Sequence, residues 1–244
     1  MKALYFIFVI FILSSCASVY IPSFNETPIF SETKSKIISS SLTTNSIQVY
    51  GAYALAPNFF VSGTFQASYN TLFPTSNYDN DIGDSEITFI SLPLPYKHWY
   101  ASPKFGYFTT LNNCIIGVHG GIGVGYGKDK GINESQKKNH AIYYKPNLLF
   151  DISYKTRNVI YGGGIEQNIL FFNQHFFTKS NYQTEYKEYE TYIYRTYCIQ
   201  SFSFVKSNFP TWNIGGIFGA QFIVPKTDID YTRLHMSINI NYSF

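Results

Sequence analysis

The segment that ends the chain constrains its fold more than any other. From Arg233 to Phe244, the even positions are Leu234, Met236, Ile238, Ile240, Tyr242 and Phe244. The odd positions are Arg233, His235, Ser237, Asn239, Asn241 and Ser243. Successive side chains of a strand point to opposite faces, so this segment carries one apolar face and one polar face. In a soluble sandwich the apolar face would cover a second sheet, whereas in a membrane barrel it would meet hydrocarbon.

The same alternation recurs along the chain. In Ile142 to Lys155, Ile142, Tyr144, Leu148, Phe150, Ile152 and Tyr154 share a face, against Lys145, Asn147, Asp151, Ser153 and Lys155. Between Asn113 and Gly127, Ile116, Val118, Ile122, Val124 and Tyr126 oppose His119 and a row of glycines. Residues 59–70 and 211–222 follow the pattern, 46–56, 98–109 and 158–171 follow it with small lapses, and 33–43 and 192–206 follow it weakly. The period predicts an all-β chain of about ten antiparallel strands, with eight as the alternative count. The run Gly120-Gly121-Ile122-Gly123-Val124-Gly125 is not a phosphate-cradling loop, because nothing helical follows it and the glycines keep strand spacing.

The connections sort by parity. Pro57-Asn58, Leu111 to Asn113, Thr156-Arg157 and Ser207 to Pro210 are tight turns. Thr71 to Lys97, Lys128 to Asn139, Asn173 to Thr191 and Val224 to Thr232 are long and polar, and only Thr44-Asn45 breaks the rule. Short periplasmic turns alternating with longer external loops mark an up-and-down outer-membrane barrel, spanning residues 33–244 here. Composition agrees: 22 Tyr and 23 Phe favour strands, and charged residues make up only 14%. A lipidated soluble barrel of the lipocalin sort would turn its polar faces to water. Those faces are mostly Gly, Ser, Asn and Gln, too sparsely charged for that. A net charge of +3 without a basic cluster gives no reason to expect nucleic acid.

The beginning of the chain points to export. Met1-Lys2 precedes an apolar run from Ala3 to Leu13, too short to span a bilayer, and then Ser14-Ser15-Cys16. Leu13-Ser14-Ser15-Cys16 resembles the bacterial lipobox. That resemblance implies a cleaved signal peptide over 1–15, a diacylglyceryl group on Cys16 and anchorage in the outer membrane. Residues 16–32, with Pro22 and Pro28, read as an extended tether. The ending Tyr242-Ser243-Phe244 resembles the C-terminal signal that outer-membrane assembly machinery reads.

Two further stretches carry a family resemblance. Tyr20-Ile21-Pro22-Ser23-Phe24-Asn25-Glu26-Thr27-Pro28-Ile29-Phe30 and the later Gln48…Ala52-Tyr53-Ala54-Leu55 resemble a group of Bacteroidetes outer-membrane β-barrel lipoproteins. The likeness covers the first quarter of the chain clearly and the rest by general pattern. It implies fold and location, and it brings no activity with it.

If the apolar faces look outward, the lumen holds Lys104, His119, Lys145, Asp151, Glu166, Arg195, Arg233 and His235. Opposed charges in a narrow barrel must pair to offset desolvation, so a salt-bridged plug is expected, with a narrow pore or small-ligand pocket as the alternative. An enzyme acting on membrane lipid would need a nucleophile, a histidine and an orienting group, and no spacing selects such a set. No catalytic residue, metal ligand set or cofactor motif is therefore assigned. Cys114 and Cys198 fall on separated strands and give no disulfide signal. Outer-membrane lipids are the expected surroundings. The loops 71–97, with Asp79, Asp81, Asp84 and Glu86, and 173–191, with Tyr182, Tyr186 and Tyr189, are the candidate contacts for an extracellular partner.

Overall fold

A computed structural model of the chain describes residues 28, 30, 34–43, 46–68, 96–130, 137–179, 186–209, 211–224 and 234–244. They form ten strands: β1 Lys36–Thr43, β2 Ser46–Ala56, β3 Phe59–Ser68, β4 Tyr96–Leu111, β5 Cys114–Lys130, β6 Lys137–Lys155, β7 Val159–Lys179, β8 Tyr186–Ser207, β9 Trp212–Val224 and β10 Leu234–Ser243. Each strand pairs antiparallel with its neighbours in sequence, and β1 pairs with β10 to close the barrel. Closure removes the sheet edges, and with them the unpaired backbone groups that hydrocarbon could not satisfy.

The pleat turns as the alternation predicts. Ile38, Leu42, Phe65, Phe105, Ile122, Phe150, Ile152, Ile214, Ile238 and Ile240 face outward and exposed. Gln48, Ser62, Gln66, Lys104, Lys145, Glu166, Gln200 and Asn239 face inward and are buried. This sidedness excludes the lipocalin-like alternative, which requires the reverse. A continuous outward apolar belt of this size suits a bilayer and no aqueous phase.

The tight turns gather at one end, where hydrogen bonds tie them to each other. Phe108 N donates to Asn58 O (2.8 Å) and Asn58 Nδ2 donates to Phe108 O (2.8 Å). Thr156 Oγ1 donates to Val159 O (2.8 Å), and Asn208 Nδ2 donates to Thr156 O (2.6 Å). Asn112 takes φ 55° in the β4–β5 turn, a left-handed conformation that asparagine tolerates better than most residues. The start of β1 and the C-terminal residue meet at this same end, with Lys36 N donating to Phe244 O (2.8 Å) and Phe244 N to Lys36 O (3.0 Å). Short turns gather at the periplasmic end of outer-membrane barrels, and we call this end of the chain's barrel the foot.

Strand lengths depart from the sequence expectation. β1 begins at Lys36 rather than residue 33. Pairing continues to Lys130 in β5 and resumes at Lys137 in β6, so half of the polar stretch 128–139 is strand. It likewise runs to Lys179 in β7 and from Tyr186 in β8, across most of the expected loop 173–191. A strand of 21 residues, at about 3.3 Å per residue and about 40° of tilt, rises roughly 50 Å, about twice the apolar band of an outer-membrane barrel. Beyond that band both faces meet water, so the alternation lapses while the backbone stays paired. The loop 71–97 lies outside the described residues except for Tyr96 and Lys97, which begin β4.

The tether expectation also changes at its end. Pro28 is buried, and Phe30 packs against Phe60 and Phe108, with ring centroids 6.0 and 5.8 Å apart. Prolines keep this segment from pairing as a strand, yet they do not stop a nearby phenyl ring from covering an apolar floor.

Candidate functional site

The lumen is filled in three layers. Next to the foot, Phe60, Phe108 and Ile115 cluster with Phe30, and Leu149, Ile160, Phe202, Phe204 and Ile217 form a second apolar cluster. Towards the loop end, Tyr100, Ala141, Tyr143, Leu170, Phe172 and Cys198 pack together. Tyr100 and Tyr143 stack at 6.1 Å, and the Tyr143 hydroxyl lies 2.7 Å from His98 Nε2. The glycines of β5 make this layer possible. A Cβ at Gly123 would collide with the Tyr100 ring, and one at Gly125 with the Tyr143 ring. The bare backbone of the glycine ladder is thus the surface on which two tyrosines lie.

Between the apolar layers sits a charged one. Glu166, fully buried, forms an ion pair with Lys145, with Nζ 3.2 Å from its Oε1, and lies 3.9 Å from Lys104 Nζ. Lys145 Nζ also donates to Gln200 Oε1 (3.3 Å) and sits 5.4 Å from the centre of the Tyr100 ring. Asn168 Nδ2 donates to the same Gln200 oxygen (3.2 Å), and Gln200 Nε2 donates to Gln221 Oε1 (2.6 Å). β6, β7, β8 and β9 are thereby joined across the interior through their inward residues. Coulomb attraction at these separations offsets much of the cost of taking the three ions out of water.

The sequence-predicted residues distribute as follows. Lys104, His119, Lys145, Asp151 and Glu166 are all buried inside the barrel. His119 packs its ring on Phe60, with centroids 5.5 Å apart. His235 lies on β10, its backbone opposite Gly219. Arg233 and Cys16 lie outside the described residues.

Arg195 is the correction: it is exposed on the outer surface. Its guanidinium lies 5.6 Å from the Phe171 ring centre and 5.8 Å from that of Tyr197. Parity explains the reversal, because Thr196, Cys198, Gln200, Phe202 and Phe204 point inward along β8. The odd residues therefore point out, whatever their polarity. Arg195 stands twelve residues before β8 ends at Ser207, hence about 30 Å above the foot. There it lies at the outer edge of the apolar band, where an outward arginine costs about 0–1 kcal/mol.

The sequence reading missed the apolar lumen residues. Parity alone would have found Tyr143 and Leu149, which share a face with Lys145 and Asp151. The parity of Thr196 and Gln200 would likewise have placed Phe202 and Phe204 inside. Among the described residues, no three His, Cys, Asp or Glu side chains gather as a metal site. Cys114 and Cys198 are free thiols.

No family model matches the chain, and no curated protein matches it in sequence. Solved structures do resemble it. The outer membrane protease OmpT of Escherichia coli superposes with a TM-score of 0.53 at 8% identity, over 90% of this chain and 99% of that one. The N-terminal β-barrel domain of Pseudomonas aeruginosa OprF gives a TM-score of 0.39 at 7% identity, over 87% of this chain and 98% of that one. The chain has an outer-membrane β-barrel fold. Identity this low carries architecture alone, and it is the apolar exterior that suits a bilayer.

Proposed function

We propose that this barrel is a closed outer-membrane scaffold, held by a lipid on Cys16, that offers its loop end to an extracellular partner and conducts no solute. The observation that supports the closed reading is the layered lumen. The Lys104–Glu166–Lys145 group is capped towards the loops by Tyr100, Tyr143 and Phe172, and towards the foot by Phe60, Phe108 and the docked Phe30. Buried charges sealed between apolar layers serve to hold strands in register rather than to pass ions. The partner reading draws on the long β7–β8 hairpin. It carries Ile193 at 82% exposure and the outward Arg195, on strands that extend well past the apolar band. The candidate contacts are this hairpin and the loop 71–97. On this reading the chain belongs with the Bacteroidetes barrel lipoproteins that its opening residues resemble, and it performs no catalysis.

Planar-bilayer recording tests the closed lumen. The purified barrel should give no stepwise ion conductance at voltages that leave it folded. Regular single-channel steps would replace the scaffold with the narrow pore.

A further inference from the structure

Closure removes the edges of a sheet only as high as neighbouring strands reach. β8 is laddered to β7 along its whole length, from Tyr186 to Ser207. On its other side the ladder with β9 rises only to Tyr197, opposite Val224, where β9 ends. β8 climbs on from there to Tyr186, about 36 Å along the strand. The other tall strands show no such step: β5 is laddered to β4 as far as Asp129, and β7 to β6 as far as Thr178.

The link from β9 to β10 is too short to cover this edge. It holds residues 225–233 and must come back down to Leu234, which pairs with Ala220, below Val224. At most about 3.5 Å per residue, such a link climbs roughly 10 Å before it must turn, about three residues along β8. Ile193 lies beyond that reach and past Arg195 from the foot, pointing outward at 82% exposure. Native edges are blunted by charges and bulges. β8 has both higher up, in a register shift opposite Phe176 and Phe177 flanked by Glu188 and Glu190. Below the shift, Tyr192-Ile193-Tyr194 stays in register with β7 and carries neither, only side chains that favour strands.

We propose that the extracellular partner docks on this edge as an extended polypeptide segment, adding a strand beside Tyr192-Ile193-Tyr194 with an apolar residue across from Ile193. The inference rests on the partner reading above and gives it a mode of recognition: main-chain hydrogen bonds supply affinity and the alternate side chains supply selection. A second copy does not fit. Two barrels standing side by side in one membrane tilt their facing strands in opposite senses, so two β8 edges would cross at roughly 80° instead of pairing.

Hydrogen exchange read by mass spectrometry on the full-length barrel tests the proposal. The probes are a short peptide of alternating valine and threonine, ended with lysine for solubility, and the same peptide N-methylated along one edge. Without peptide, residues 190–195 should exchange faster than 198–206. The first probe should slow them by about tenfold, and the N-methylated one should not. Ile193→Lys, shown to be folded by heat-modifiable gel mobility, should lose most of the slowing. Slow exchange at 190–195 before any peptide is added would overturn the proposal, since the chain would then cover its own edge. Equal slowing by both peptides, or none by either, would overturn it too. Protection appearing only elsewhere on the loop end would sink this edge and leave the partner reading standing.

Discussion

Glu166→Gln isolates the central ion cluster. At an effective dielectric near 20, unit charges 3.2 and 3.9 Å apart attract by about 5 and 4 kcal/mol. Desolvation costs several kcal/mol per ion, so the intact cluster is close to neutral in its net contribution. Losing the carboxylate is a different matter. Lys104 and Lys145 would then face each other in the buried layer without the carboxylate between them, with only the weaker attraction of Asp151 left to Lys104, and breaking a buried pair in this way costs about 3–5 kcal/mol. At about 1.4 kcal/mol per tenfold, the unfolding equilibrium should shift by roughly 10²–10⁴. Urea unfolding of the vesicle-inserted barrel reads the shift through the fluorescence of Trp99 and Trp212, with gel mobility reporting the folded fraction. Adding Lys145→Gln to Glu166→Gln should recover part of the loss, because one of the two stranded cations is gone. A change below about 0.5 kcal/mol for Glu166→Gln alone would refute the reasoning, since only water around the lysines could screen them so well.

Two other perturbations probe the two faces of the wall. Phe150 lies five residues from the foot end of β6, close to the bilayer midplane, so Phe150→Arg should cost about 2–4 kcal/mol in the same unfolding assay. Ile122, higher on β5, should fall at the lower end of that range when replaced by Arg, and a neutral result at Phe150 would mean that this side does not meet lipid. Gly123→Ala forces a methyl group against the buried Tyr100 ring and should cost about 1–3 kcal/mol by overpacking. Gly63→Ala, with open space around it, should instead be neutral or stabilising by up to about 1 kcal/mol, and the pair compared by urea midpoint separates packing from backbone entropy.

The barrel was legible in the sequence because hydrocarbon imposes a stricter rule than any core. Outward positions across the apolar band are mostly apolar, with Ser40 and Ser203 as exceptions, so the period-two pattern of 142–155 or 233–244 can be read directly. The same rule explains where the reading failed. Above the band nothing enforces alternation, and the strands of the β7–β8 hairpin passed for loop. Inside the barrel the rule is silent, because a lumen accepts a phenylalanine or a lysine if its neighbours suit it. Polarity therefore misplaced Arg195, while the parity of Thr196 and Gln200 gave the true direction. The Glu166 cluster was legible as a set of inward charges, but which groups meet depended on register between strands far apart in sequence. Phe30 was hidden for another reason: its docking depends on the shape of the foot, which exists only once β3 and β4 are in place.

The unequal strands give the cylinder a stiff back and a soft front. β7 and β8, at 21 and 22 residues, form a tall hairpin between chain neighbours, whereas β1 has eight residues and must find β10, at ten, from the far end of the sequence. Local pairing forms early and the distant junction last. The β1–β10 and β1–β2 ladders have seven paired positions each, the fewest in the wall, so breathing concentrates on the two sides of the first strand.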